Sequence, residues 1–227
     1  MHGKTIVLTG AAGNLGRAVT SSLLAGGANV IALDRPGPGL AALQGVHTIA
    51  IADLADEAAC TSTFSGIAAT FGRIDGVVHT VGGFAYAGLA DSGPALFEQQ
   101  FRMNVLTTLN VLRAAIAHMR IAGHGSIVAV GAGAALRAPS GMAAYAGAKS
   151  AVHRLVESFA DELKTQHIRV NAVLPSTMDT PQNRADMPDA DPALWTKPSE
   201  VAETIAFLLS DAASGITGAL VPVAGRG

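Results

Sequence analysis

Charge is scarce in this chain of 227 residues: Asp, Glu, Lys and Arg make up 14%, well under the ~25% usual for globular proteins. Its 15 Lys and Arg against 17 Asp and Glu leave a formal net charge of -2. Without a basic run or stripe, no nucleic-acid partner is expected. No apolar run reaches the ~18 residues of a membrane span, so no membrane partner is expected either. The start, Met1-His2-Gly3-Lys4 and then Thr5–Thr9, is too short and too soon broken by Gly10 to read as a secretory signal. The one cysteine, Cys60, cannot close an internal disulfide. That suits a reducing compartment, and a cytoplasmic location is the expectation. The histidines show no H-x-x-x-H or Cys/His spacing, so no metal is expected. A G-x-S-x-G elbow for hydrolysis is also missing. What is abundant is apolar: 49% of residues are hydrophobic, which excludes a disordered chain. The 26 glycines carry no three-residue period, which excludes collagen. So few charges suggest that some surface is covered in an oligomer.

Short apolar runs alternate with longer helical stretches. Ile6-Val7-Leu8, Val30–Leu33, Val46–Ala50, Val77-Val78, Ile127–Val130, Ile168–Leu174 and Ala219–Val223 read as strands. Leu15–Ala25, Glu57–Phe71, Leu96–Met119, Ala143–Lys164 and Val201–Leu209 read as helices. The strands are continuous apolar runs, as expected when both faces of a parallel sheet are covered. The expected fold is α/β: one doubly wound domain over residues 1–227, with a seven-stranded parallel sheet flanked by helices on both faces. One stretch, Ser176–Lys197, lacks apolar periodicity and follows a strand's C-terminal end, where open α/β sheets bind ligands. It is the expected substrate loop.

Thr9-Gly10-Ala11-Ala12-Gly13-Asn14-Leu15-Gly16 joins the first strand to the first helix. Glycines there permit a tight turn and close backbone approach to phosphates, and the following helix N-terminus offers free N–H groups to a pyrophosphate. An acid, Asp34, ends the second strand. Its carboxylate can accept hydrogen bonds from the adenosine ribose hydroxyls and would repel a 2′-phosphate. This Rossmann-type arrangement favours NAD, while Arg35, which could pair with a 2′-phosphate, keeps NADP open. Asp53 could meet the adenine edge or cap the next helix.

Tyr145 and Lys149 are four positions apart and so project from one helix face. A nearby ammonium favours the phenolate and lowers a tyrosine's pKa from ~10. Such a tyrosine can give or take a proton during reduction or oxidation.

Taken together, these residues resemble the short-chain dehydrogenase/reductase family over nearly the whole chain. The resemblance rests on the glycine turn, Asp34, Asp53-Leu54, Asn104, Tyr145-x-x-x-Lys149, Arg169–Pro175, Thr180-Pro181 and Gly215–Ala219. It implies a catalytic set of Tyr145, Lys149 and Asn104, with Lys149 also on the nicotinamide ribose and Asn104 supporting a water chain to it. The implied cofactor-binding set is Gly10, Gly13, Asn14, Leu15, Gly16, Asp34, Arg35, Asp53, Leu54, Val81, Gly82, Lys149, Pro175 and Thr180, the last meeting the nicotinamide carboxamide. The family's catalytic serine usually stands thirteen positions before the tyrosine, and that position is Ala132. Ser126 and Ser140 are out of register to replace it. His79-Thr80-Val81-Gly82-Gly83 stands where the family usually has Asn-Asn-Ala-Gly, and Pro175-Ser176 where it usually has Pro-Gly.

The G-x-x-G-x-x-G turn, the missing serine, Val81–Phe84, Gly141-Met142, Ala151–His153 and the stretch from Val173 to Trp195 resemble one branch, the dihydropteridine reductases. The implied substrate is a small molecule, a quinonoid pterin or a simpler carbonyl or alcohol. Gly83, Phe84, Ala132, Met178 and Trp195 are the substrate-side candidates, with Met178, Met187 and Trp195 as parts of a lid. A competing reading is a non-catalytic dinucleotide sensor, motivated by Ala132 and the altered 79–82 motif. In the family the two long helices pair across two-fold axes, which implies a homodimer or homotetramer.

Overall fold

The computed structural model describes residues 1–226. Seven parallel strands lie in the order β3-β2-β1-β4-β5-β6-β7. They are β1 (Thr5–Thr9), β2 (Asn29–Asp34), β3 (His47–Ala50), β4 (Gly76–His79), β5 (Gly125–Val130), β6 (Ile168–Pro175) and β7 (Leu220–Val223). The seven-stranded parallel sheet with helices on both faces is the architecture expected from the apolar runs.

The side-chain period of two divides each strand between two cores. From β1, Val7 enters one core while Ile6 and Leu8 enter the other. From β2, Ile31 and Leu33 join Val7, and Val30 and Ala32 join Ile6 and Leu8. One face is covered by α3 (Glu57–Phe71), α5 (Thr107–Ala122) and α6 (Ala143–Leu163). The other is covered by α1 (Asn14–Ala25), the short α2 (Pro38–Ala41) and α8 (Pro198–Leu209). A residue on a central strand is therefore wrapped in apolar side chains on both sides, and only the strand ends are free to carry chemistry.

Strands β1, β2 and β3 run outward in one direction, and β4 then returns to pair with β1 on its other side. The sheet order reverses between β1 and β4, which opens a crevice at their C-terminal ends. Three local differences from the sequence expectation matter there. The single helix expected over Leu96–Met119 is instead α4 (Pro94–Phe101), a wide π-turn at Arg102–Leu106, and α5. A short helix that the apolar runs do not show, α2, begins with Pro38 at its first position. The loop expected over Ser176–Lys197 holds α7 (Pro181–Asp186), a 3₁₀ turn at Pro192–Leu194, and a strand-like bridge between Met178 and Thr196. Local hydrogen-bonding side chains make those short elements, a signal that apolar periodicity does not carry.

Candidate active site

A cleft of about 1490 Å³ runs along the C-terminal ends of the strands. One end is built by the glycine turn. Gly10 and Ala11 give their N–H groups to Leu33 O, tying the turn to the end of β2. A β-carbon on Gly16 would lie 2.1 Å from Gly10 O, so only glycine lets α1 start so close to the turn. The α1 N-cap is Gly13, and no side chain caps that helix start. Its first N–H groups remain available to an anion. Asp34 accepts Ala12 N–H at 2.8 Å and Arg35 N–H at 2.7 Å, which fixes its carboxylate on the cleft wall.

Asp53 lies on the same wall but is partly engaged. It accepts Ala55 N–H at 2.8 Å and forms an ion pair with Arg102. The backbone bond first, and then Arg102, hold its carboxyl below the usual range. The cap of α3 is Asp56, which accepts Ala59 N–H at 3.0 Å.

At the other end α6 presents Tyr145 to the cleft, with the ring of Phe84 edge-on at 5.0 Å. Lys149, one turn along, is buried and donates to Val130 O at 2.8 Å. The π-turn places Asn104 beside it, fully buried. Asn104 accepts Gly83 N–H at 3.1 Å and donates to Gly83 O and to Gln100 O. A β-carbon at Gly82 would lie 2.7 Å from Asn104 Oδ1 and 3.0 Å from Lys149 Nζ. These groups therefore crowd together directly behind the cleft wall. Wide turns of this kind often mark functional positions, because they re-aim a helix side chain.

The electrostatics of the tyrosine depart from expectation. Burial pushes Tyr145 up to about 12, and the lowering expected from Lys149 does not prevail. Burial likewise brings Lys149 down to about 8. The phenol is thus protonated across neutrality, and the lysine carries its charge below about pH 8. His79 is buried between Thr9 Oγ1, 2.8 Å from Nδ1, and Thr107 Oγ1, 3.4 Å from Nε2. Burial, helped by Lys149, pushes it down to about 3, so it stays neutral.

Most of the sequence candidates meet in this one cleft. Gly10, Gly13, Asn14, Leu15, Gly16, Asp34, Arg35, Asp53, Leu54, Val81, Gly82, Phe84, Ala132, Tyr145, Pro175, Met178 and Thr180 all line the cleft. Lys149, Asn104 and Gly83 lie behind it. Thr180 both lines the cleft and caps α7, accepting Asn183 N–H at 3.2 Å. Trp195, expected on the substrate side, is instead buried just after the 3₁₀ turn and is not among the residues that line the cleft. Tyr86, Met103, Thr107, Arg137 and Met142 also line the cleft. Of these, Met103 and Thr107 flank Asn104 in sequence, a spacing from which their placement could have been read. Ser176, standing where glycine is usual, laces the loop base to the C-terminal segment through Thr196 Oγ1 and Ala224 O, each at 2.8 Å.

A family model described as enoyl-(acyl carrier protein) reductase matches residues 10–225. L-rhamnose 1-dehydrogenase (NAD(P)(+)) of Sphingomonas sp. (strain SKA58) is 31% identical over 244 residues, spanning 99% of this chain and 96% of that protein. Among solved structures, a short-chain type dehydrogenase/reductase from Mycobacterium ulcerans superposes with a TM-score of 0.92 at 29% identity, covering 100% of this chain and 90% of that one. NAD+-bound xylitol dehydrogenase superposes with a TM-score of 0.90 at 27% identity, covering 100% and 99%.

Proposed function

Because this chain belongs to the short-chain dehydrogenase/reductase family of oxidoreductases, we propose that it is an NADH-dependent reductase of a small, conjugated carbonyl or quinonoid substrate, with Tyr145 as proton donor. One observation carries the reading: a protonated tyrosine stands on the cleft wall, with a buried ammonium behind it and the methyl of Ala132 where the family usually places a serine.

The residues present fit a nicotinamide dinucleotide. The uncapped start of α1 would receive the pyrophosphate. The fixed carboxylate of Asp34 would accept from the adenosine ribose and disfavour a 2′-phosphate. Lys149 and Thr180 would hold the nicotinamide end. When bound, this cofactor supplies the hydride. Tyr145 starts as a phenol and gives its proton to the substrate's oxygen or nitrogen. Lys149 then stabilises the phenolate left behind. Buried Asn104 keeps the Gly82–Gly83 backbone in place around the ammonium.

Ala132 offers no hydroxyl to polarise a carbonyl. Loss of one such donor costs on the order of 100–1,000-fold in rate for an unactivated ketone. A quinonoid ring is already electron-poor and depends less on that donor. This is the substrate logic behind a dihydropteridine-reductase-like activity. A sugar or polyol substrate is the second reading, favoured by the L-rhamnose dehydrogenase among the relatives. The buried Cys60 accords with a cytoplasmic enzyme, and the exposed Phe97, Phe101 and Ile121 accord with a homodimer or homotetramer.

The test is NADH oxidation with quinonoid dihydropterin, with NADPH and an L-rhamnose and ketone panel run beside it. Turnover with NADH that disappears in Tyr145→Phe supports the proposal. Unchanged turnover in Tyr145→Phe overturns the mechanism. Binding of NADH without turnover of any substrate overturns the enzymatic reading in favour of a sensor.

A further inference from the structure

Among the described residues, the guanidinium groups of nearly every arginine are engaged. Arg17 bonds Ala12 O and Gly39 O, Arg169 binds the carbonyls that end α8, and the others pair with carboxylates. Two arginines have no side-chain partner, Arg35 and Arg137, and both line the cleft. Arg35 sits beside Asp34 at the adenosine end. Arg137 lines the cleft together with Tyr145 and Met142.

The segment that carries Arg137 is held in place. After β5 the chain makes a 3₁₀ turn, Gly133–Ala135, and Ser150 of α6 donates to Ala135 O at 3.0 Å. Leu136 N–H closes on Gly133 O at 3.0 Å. Arg137 follows this pinned turn as an exposed side chain on the lining of a cleft that also carries the exposed rings of Phe84 and Tyr86. Asp186 of α7, an acid that also lines the cleft, takes a hydrogen bond from Gln182 at 2.8 Å and makes no ion pair with Arg137. A planar cation with free N–H groups beside aromatic surface is a recognition site for a carboxylate-class anion on a flat ring.

We infer that Arg137 is a specificity-determining residue that reads an anionic group on the substrate, so that the preferred substrate is a planar conjugated compound bearing a carboxylate or similar anion. The inference rests on the oxidoreductase reading of the same cleft and names the class of compound it takes.

The probes are 2-naphthoate and its neutral counterpart 2-naphthamide, titrated calorimetrically into the NADH-loaded protein. The expected result is tighter binding of the naphthoate by roughly 10–100-fold, the range of a charge-assisted hydrogen bond. That preference should shrink as salt is raised. Arg137→Ala should abolish it, and Arg137→Lys should retain part of it, a point charge replacing the fork. Melting temperatures of both variants check that they are folded. Equal binding of the two probes, no binding of either, or a preference that survives Arg137→Ala overturns the inference and leaves the oxidoreductase reading standing. Failure of NADH itself to bind overturns that reading instead.

Discussion

The imidazole of His153 accepts the backbone N–H of Ala132 at 3.3 Å. His153 lies one turn beyond Lys149 on α6, and Lys149 donates to Val130 O. Three successive turns of one helix thus deliver the tyrosine to the cleft and stitch down both sides of the chain where β5 ends. The stitching is close: a β-carbon on Gly131 would lie 2.4 Å from His153 Nε2. Where the family usually has a serine side chain, this protein has a methyl held in place by its own backbone bond.

Removing that bond should cost stability. His153→Leu leaves the buried Ala132 N–H without a partner, a loss of about 1–3 kcal/mol, measurable by chemical denaturation. Burial holds His153 at about 4 and His79 at about 3, both below the ordinary histidine value. A lowered folded-state pKa gives stability that is complete above about pH 6.5 and is lost as pH falls toward those values. The melting temperature should therefore decline from about pH 6.5 toward about 4, and less steeply in His153→Leu. A wild-type melting temperature that is flat across this window would contradict the assignment of neutral, buried imidazoles.

Restoring the missing hydroxyl separates the substrate readings. Ala132→Ser places a donor on the cleft wall, where Ala132 already lies. The rate on simple ketones should rise by about two orders of magnitude, the lower end of the range that one such donor contributes. The rate on a quinonoid substrate should change by less than about threefold, since an electron-poor ring needs little polarisation. Steady-state kcat/KM on both substrates decides it, and equal gains would remove the argument for an activated substrate.

The rate of reduction should fall on the alkaline side. Lys149 is at about 8 and Tyr145 at about 12. As pH rises through about 8 the ammonium loses its proton while the phenol keeps its own, so the group that stabilises the phenolate goes first. A kcat profile with a descending limb near pH 8 is expected. Lys149→Met should show low activity without that limb. The same depressed lysine makes folding slightly more favourable as pH rises from about 8 toward its ordinary value, so the alkaline loss of rate should not be accompanied by unfolding.

The proposed preference for NADH rests on Asp34. Its carboxylate is fixed by two backbone N–H groups and lies beside the unpartnered Arg35. Asp34→Ala removes a repulsion of about 1–4 kcal/mol toward a 2′-phosphate and leaves Arg35 free to pair with it. The NADH over NADPH preference in kcat/KM should shrink by at least about fivefold. An unchanged ratio would place discrimination elsewhere.

The strands, the long helices, the glycine turn and the acid after β2 were legible because they depend on local chemistry. A buried parallel strand must be apolar throughout, and a tight turn against a helix start must be glycine. The π-turn was not legible. Leu96–Met119 has the pattern of one continuous helix, and only the packing of Asn104 against Gly82 and Gly83 widens it at Arg102–Leu106. The burial of Trp195 was not legible either: a lone aromatic in a polar stretch reads as a lid, whereas the fold buries it next to the bridge between Met178 and Thr196.

The sequence by itself determined the order of the elements, the two-sided burial of the sheet and the pairing of Tyr145 with Lys149, since residue type and spacing along one chain decide each of them. Only the tertiary structure decided the protonation of that pair and what faces the cleft. A pKa depends on how much water a group loses, and burial on α6 is what raises Tyr145. Whether an arginine is free depends on every carboxylate and carbonyl that the fold brings within reach, and among the described residues none bonds the side chain of Arg137, which lines the cleft.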